Sequence, residues 1–115
     1  MDFSCTLACV EGVATVTPRG EVDLPATAEL RALLQDAANR PGITRIVVDL
    51  AGVTFLDSTA LGVLVAGYTA AERNGRTLTL VNPGPMATMV LTVTALYDRL
   101  VEPSARMTEA VPDLA

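Results

Sequence analysis

Arg45-Ile46-Val47-Val48-Asp49-Leu50 is the stretch that decides the fold. Its unbroken apolar run puts Ile46 and Val48 on one face of a strand and Val47 on the other. A strand apolar on both faces is an interior strand, with neighbours on either side of it in the sheet. Ala51 to Leu56 reads as a connection. A helix then begins at Asp57 or Ser58, because Leu61, Leu64, Val65 and Tyr68 recur at helical spacing. Asn74-Gly75 is its natural stop. Thr77 to Val81 reads as a further strand. Strand, helix and strand with short connections imply a parallel pair joined by a right-handed crossover.

Upstream, Phe3 to Val10 alternates with period two, placing Phe3, Cys5, Leu7 and Cys9 on one face. Glu11-Gly12 makes a two-residue turn. Val13 to Thr17 is β-branched and pairs back as a hairpin, which Pro18 closes. Gly20-Glu21-Val22-Asp23-Leu24 reads as a loop. Pro25 stands where a helix starts, just after an Asp23 cap. Leu30, Leu33, Leu34 and Ala37 supply that helix's stripe, and Arg40-Pro41-Gly42 ends it. Downstream, Asn82-Pro83-Gly84-Pro85 turns into a short helix carrying Met86, Met89, Val90 and Val93. Leu96, Leu100 and Val101 follow, then a last helix from Ser104 to Val111. The fold class is α/β, with a mixed, mostly parallel sheet of four to five strands and an antiparallel hairpin at its edge. Residues 1–115 read as one domain.

Composition limits the function. The 115 residues suit a single domain, and a chain of that size buries roughly two-thirds of the surface it exposes when unfolded. Only four residues are aromatic, so the core must come from Leu, Val, Ile, Ala and Met. The net charge is −5, from thirteen acidic residues and eight arginines, with no lysine. Such a chain is a poor nucleic-acid binder, because phosphate neutralisation dominates that affinity. It also has no polybasic run for anionic lipid. Cys5 and Cys9 lie four residues apart on one strand face, ~13 Å, too far for a disulfide. Both are expected to be reduced core residues of a cytosolic protein. A metal site would need more ligands than these, and the chain has no histidine; no cofactor is expected. No signal peptide is visible, and the most apolar stretch, Ala60 to Ala71, falls short of the ~20 residues that span a bilayer. The expected location is the cytoplasm.

Asp57-Ser58-Thr59 opens a helix directly after a connection from an interior strand. Ligands and partners of open α/β sheets gather at the carboxyl ends of such strands. The first helical turn has unpaired N–H groups and the positive end of the dipole. Asp57 as N-cap satisfies one of those donors, and Ser58 then holds its hydroxyl in solvent. Capping alone accounts for these residue types. A phosphate acceptor also fits: phosphoserine at a helix N-terminus is tolerated by its own fold, while the added charge of about −1.5 to −2 repels a partner surface.

Gly20-Glu21-Val22-Asp23-Leu24, Val47-Val48-Asp49-Leu50 and Phe55-Leu56-Asp57-Ser58-Thr59-Ala60-Leu61-Gly62 resemble the corresponding segments of STAS domains, the sulfate-transporter and anti-sigma-antagonist family. The resemblance is greatest to single-domain anti-anti-sigma factors and runs over nearly the whole chain. It implies a sheet with helices packed mainly on one face. It implies that Ser58 is phosphorylated by an anti-sigma factor serine kinase of histidine-kinase-like ATPase fold. The unphosphorylated form would bind that kinase and release a sigma factor, and a PP2C-type phosphatase would restore it. The partner face implied is Glu21, Asp23, Asp57, Ser58, Thr59, Ala60 and Leu61. Ala60 stands where the family usually has glycine, and its methyl is a point where kinase recognition could weaken or change.

Other residues have plainer readings. Asp23 is a partner contact, a helix cap, or both. Asp49 is a hydrogen-bonded turn former, Tyr68 a core residue, and Met86, Met89 and Val90 either sheet packing or an adaptable contact surface. Thr59 is a second acceptor or a decoy. Ser58 lacks any histidine or lysine to activate it as a nucleophile, and no phosphate-binding glycine motif is present, so an enzyme is not expected. The alternative role is a non-phosphorylated STAS subunit on the ATPase of an ABC-type transport complex. A nucleotide hydrolase using Asp23 and Asp57 is the third.

Overall fold

The computed structural model describes residues 3–101. Strands β1 (Ser4–Val10) and β2 (Val13–Val22) form an antiparallel hairpin whose register runs from Val10↔Val13 to Ser4↔Arg19. Its turn residues Glu11 and Gly12 both have positive φ, 50° and 83°, the backbone that suits the right-handed twist of a tight hairpin. Helix α1 (Leu24–Asn39) follows, then β3 (Arg45–Asp49), β4 (Val53–Leu56), α2 (Ser58–Arg73), β5 (Thr77–Val81), α3 (Pro85–Val93) and α4 (Tyr97–Leu100). The sheet order is β1-β2-β3-β5, with β4 paired to β2, and every pairing after the hairpin is parallel. The interior position of β3 between β2 and β5 is the one its sequence requires. The expected helix at Ser104 to Val111 lies outside the described residues.

Two segments differ from the sequence expectation, for one reason. Pro18 does not close β2, and Gly20 to Val22 are strand rather than loop. Ala51 to Leu56 is not merely a connection, since it contains β4. These pieces are each other's partners, in the register Gly20↔Val53, Glu21↔Phe55 and Val22↔Leu56. Pro18 is tolerated because β3 pairs with β2 only as far as Val16 and β4 begins only at Gly20. Its missing N–H therefore interrupts neither parallel ladder.

One face of the sheet is the core face. Ala14 and Val16 of β2, Ile46 and Val48 of β3, and Leu78 and Leu80 of β5 are all buried there. They belong to one cluster with Leu30 and Leu34 of α1 and Leu61 and Leu64 of α2. The close of α1 is tied down by Arg76, whose Nη1 donates to the Ala37 carbonyl at 2.8 Å. That bond satisfies one of the orphan acceptors every helix end leaves. Val101 lies parallel beside Leu80, against β5.

The cysteines do not both join the core. Cys5 is half-buried, whereas Cys9 is exposed near the hairpin turn and accepts a bond from Arg40 Nη1 at 3.6 Å. The strand face is right, since Cys9 is level with the buried Ala14, but Cys9 lies on the edge strand β1, where its side chain is left uncovered. Burial, with Glu29 nearby, pushes the Cys5 thiol up to about 11 from 9.0. The two thiols should therefore separate in an Ellman titration of the native protein at pH 8, with Cys9 reacting first. The unfolded chain ionises Cys5 near pH 9.0 while the fold keeps it neutral. The stabilisation from this thiol is thus whole below pH 9 and is lost as pH rises through about 11. A Cys5→Ala variant should lack that component of the alkaline stability loss.

Candidate functional site at the carboxyl ends of β2 and β4

The short parallel pairing of β2 with β4 sets the site. Each strand runs directly into a helix through an aspartate: Asp23 is the N-cap residue of α1 and Asp57 that of α2. Because Val22 is level with Leu56, the two caps emerge side by side. The Asp57 N–H points to the Val22 carbonyl at 3.5 Å. Two helix N-termini and two carboxylates thus share one edge of the sheet.

The two aspartates are used differently. Asp57 Oδ1 accepts from the Ala60 N–H at 2.8 Å, which satisfies a first-turn donor and fixes the start of α2. Asp23 makes no such side-chain bond; only its carbonyl serves α1, accepting from Ala26 and Thr27. Both residues are half-buried, as is Glu21 one step upstream. Of the two sequence readings of Asp23, its position is that of a cap, but its carboxylate does no capping.

Ser58 is the first residue of α2 and is exposed, as is Thr59 beside it. Ala60 and Leu61 turn the other way, with 0% and 7% of their surface exposed. The Ala60 methyl belongs to the core cluster and adds little to the exposed surface beside Ser58. Ala60→Gly should therefore lower stability by about 1 kcal/mol, from helix propensity and lost burial, and leave partner affinity unchanged. Thermal melts paired with a binding titration would check both halves.

Neighbouring residues fall into place around this edge. Asp49 Oδ1 accepts from the Ala51 N–H at 3.0 Å and from Asn82 Nδ2 at 3.1 Å, the turn-forming role read from sequence. Tyr68 is half-buried rather than fully core, and its hydroxyl is held by Glu72, which raises its pKa. The α3 stripe is rotated from expectation. Ala87 and Leu91 face inward, Met86 and Val90 are half-buried, and Met89 and Val93 are 59% and 79% exposed. Sequence reading missed the setting of Phe55. It is 38% exposed and level with Glu21 across the β2–β4 pair. A large aromatic one residue before a buried Leu56, on a strand too short to recognise, was the available signal.

A family model described as "Mlab, STAS domain" matches residues 5–102. The chain belongs to the STAS domain family. Solved structures with the same fold include three anti-sigma factor antagonists or relatives of them. The anti-sigma factor antagonist SpoIIAA in its unphosphorylated form is 20% identical, with 96% of each chain covered and a TM-score of 0.76. The Bacillus cell fate determinant SpoIIAA in the phosphorylated form is 20% identical over 97% of this chain and 100% of that one, with a TM-score of 0.70. A Thermotoga maritima protein described as a candidate anti-sigma factor antagonist is 26% identical over 91% of this chain and 92% of that one, with a TM-score of 0.75. In this STAS domain the family match takes in the hairpin, both aspartate-capped helices and α3. Among the described residues no helix is long and apolar enough to cross a membrane.

Proposed function

We propose that this STAS domain is a cytoplasmic anti-sigma factor antagonist, acting as a single domain and without catalysis of its own. Its unphosphorylated form binds a serine kinase-type anti-sigma factor of histidine-kinase-like ATPase fold and so releases a sigma factor. Phosphorylation of Ser58 ends that interaction, and a PP2C-type phosphatase reverses it. The observation that carries this reading is the exposed Ser58 hydroxyl at the first position of α2, beside two aspartates. A phosphate there gains from the helix dipole, so the domain stays folded. The same phosphate, next to Asp57 and Asp23, concentrates negative charge where the partner must approach. The solved structures of SpoIIAA in unphosphorylated and phosphorylated forms support a switch of this kind.

The partner face is Glu21, Asp23, Asp57, Ser58 and Thr59, with Ala60 and Leu61 supporting it from beneath. Intact-mass analysis of the protein from its native cells tests the switch. One phosphate should appear in the wild type and vanish in Ser58→Ala; no phosphate with the phosphatase inhibited would remove the proposal. The exposed side chains of Phe55, Met89 and Val93 favour one other reading, since permanent interfaces are more apolar than transient ones. In it the domain is a constitutive subunit on the ATPase of an ABC-type transport complex, and copurification with that ATPase irrespective of Ser58 is its signature.

A further inference from the structure

We infer that the groove between β4 and the start of α3 seats an apolar side chain of the kinase-type partner, one flanked on that partner by basic residues. The inference rests on the antagonist reading above and extends its contact surface beyond the residues assigned there. The groove has a volume of about 240 Å³ and is lined almost wholly by apolar atoms, among them Val53, Phe55, Leu56, Gly84, Pro85 and Met86. That is smaller than the ~300–1,000 Å³ clefts that enclose drug-sized ligands. It suits one or two protein side chains.

Charge selects the occupant. No charged residue occurs from Val81 to Tyr97 or within β4, so the groove itself is neutral. Its neighbours toward the switch are acidic: Glu21 is level with Phe55, and Asp57 follows Leu56 directly, with Asp23 alongside. The nearest cation among these strands, Arg19, packs at the opposite end of β4, beside Gly52. A second copy of this chain, at net charge −5, would bring like charge to that rim. A segment with a large apolar residue between arginines or lysines complements both parts. Apolar anchoring of this kind is how a small interface obtains most of its affinity. With those basic groups already paired to Glu21, Asp23 and Asp57, a further charge at Ser58 has no counter-ion in the complex and is desolvated at a cost.

The test uses the intact chain and the kinase that phosphorylates Ser58. Binding is followed by calorimetric titration and phosphorylation by steady-state kinetics. Phe55→Ala and Met86→Ala should each weaken binding about tenfold or more and raise KM while leaving kcat unchanged. Gly84→Leu provides a variant that removes no packing: Gly84 lines the groove and a Cβ there meets no heavy atom within 4 Å, so the added side chain is expected to obstruct the groove. It should weaken binding similarly, with melting lowered only by the exchange of glycine for leucine at the α3 N-cap. Val93→Ala, two turns further along α3, should bind as the wild type does. Affinities within twofold of wild type for all three groove variants, with Ser58→Asp still preventing binding, would overturn the groove and leave the antagonist reading standing. A wild-type dimer in sedimentation that Phe55→Ala converts to monomer, with kinase affinity unaltered, would assign the groove to a second copy and overturn the inference. Binding that ignores Ser58→Asp would remove the antagonist reading and this inference with it.

Discussion

Ser58→Asp should weaken binding to the kinase-type anti-sigma factor by at least 100-fold, about 2.8 kcal/mol at 1.4 kcal/mol per decade, and leave the melting temperature almost unchanged. The two halves have separate causes. Within the domain, position 58 is the first residue of α2, so a new carboxylate faces the positive end of the helix dipole. Asp57 already holds the Ala60 N–H at 2.8 Å, so the cap is not disturbed. In the complex, the same carboxylate has to be desolvated beside Asp57 and Asp23 against a surface built to meet an uncharged hydroxyl. Juxtaposed like charges cost several kcal/mol, and a buried charge without a partner costs 3–5 kcal/mol (a rough range). Phosphoserine, with about −1.5 to −2 charge, should have the larger effect. Raised salt should recover little of the loss, because buried charges are screened far less than exposed ones. Ser58→Ala should bind at least as well as the wild type and stay bound in the presence of ATP. Titration calorimetry of the three proteins, with parallel melting curves, separates an interface effect from a folding one. A fall in melting temperature that tracks the loss of binding would mean that Ser58 acts through the fold.

The elements that could be read from sequence are those whose signals are local. Asp57 is followed by a helical stripe, so the start of α2 and the exposure of Ser58 were legible from a few adjacent residues. The Glu11-Gly12 turn and the stop at Asn74-Gly75 are likewise short-range. What was not legible is non-local. Gly20 to Val22 lie after a proline and a glycine, and Val53 to Leu56 are four residues with no repeat. Neither segment has a strand signature of its own, and each becomes strand only because the other pairs with it. That pairing is what brings Asp23 beside Asp57. The site residues were therefore nameable one by one, while their meeting, and the groove of Phe55 against α3, depended on a contact between segments more than thirty residues apart. The inward turn of Ala60 was hidden for a different reason. Motif comparison aligns residue types, but burial follows the helix phase set by Leu61 and Leu64.

Leu64→Ala should destabilise the domain by about 3 kcal/mol, within the 2–5 kcal/mol typical of Leu→Ala in cores. The melting temperature should fall by roughly 10 °C, as expected for a domain of this size. Leu64 is fully buried in the cluster that joins α2 to α1 and to the sheet. With so few aromatics, no large neighbouring ring is at hand to move into the space. The contrast is Gly67, one turn further along the same helix. A Cβ there would lie 3.0 Å from Leu34 Cδ1 and 3.4 Å from Leu78 Cδ1. Gly67→Ala gains about 1 kcal/mol of helix propensity but must displace the end of the Leu34 side chain, and should be close to neutral. Gly67→Leu has no such room and should cost about 1–3 kcal/mol through overpacking. Chemical denaturation of the three variants would show whether the α1–α2 contact is packed this closely. If Leu64→Ala cost less than 1 kcal/mol, this part of the core would have to collapse around the missing atoms. If Gly67→Leu were neutral, α1 and α2 would have to separate at little cost, and the two aspartate caps they carry would not be held rigidly enough for a single charge at Ser58 to act as a gate.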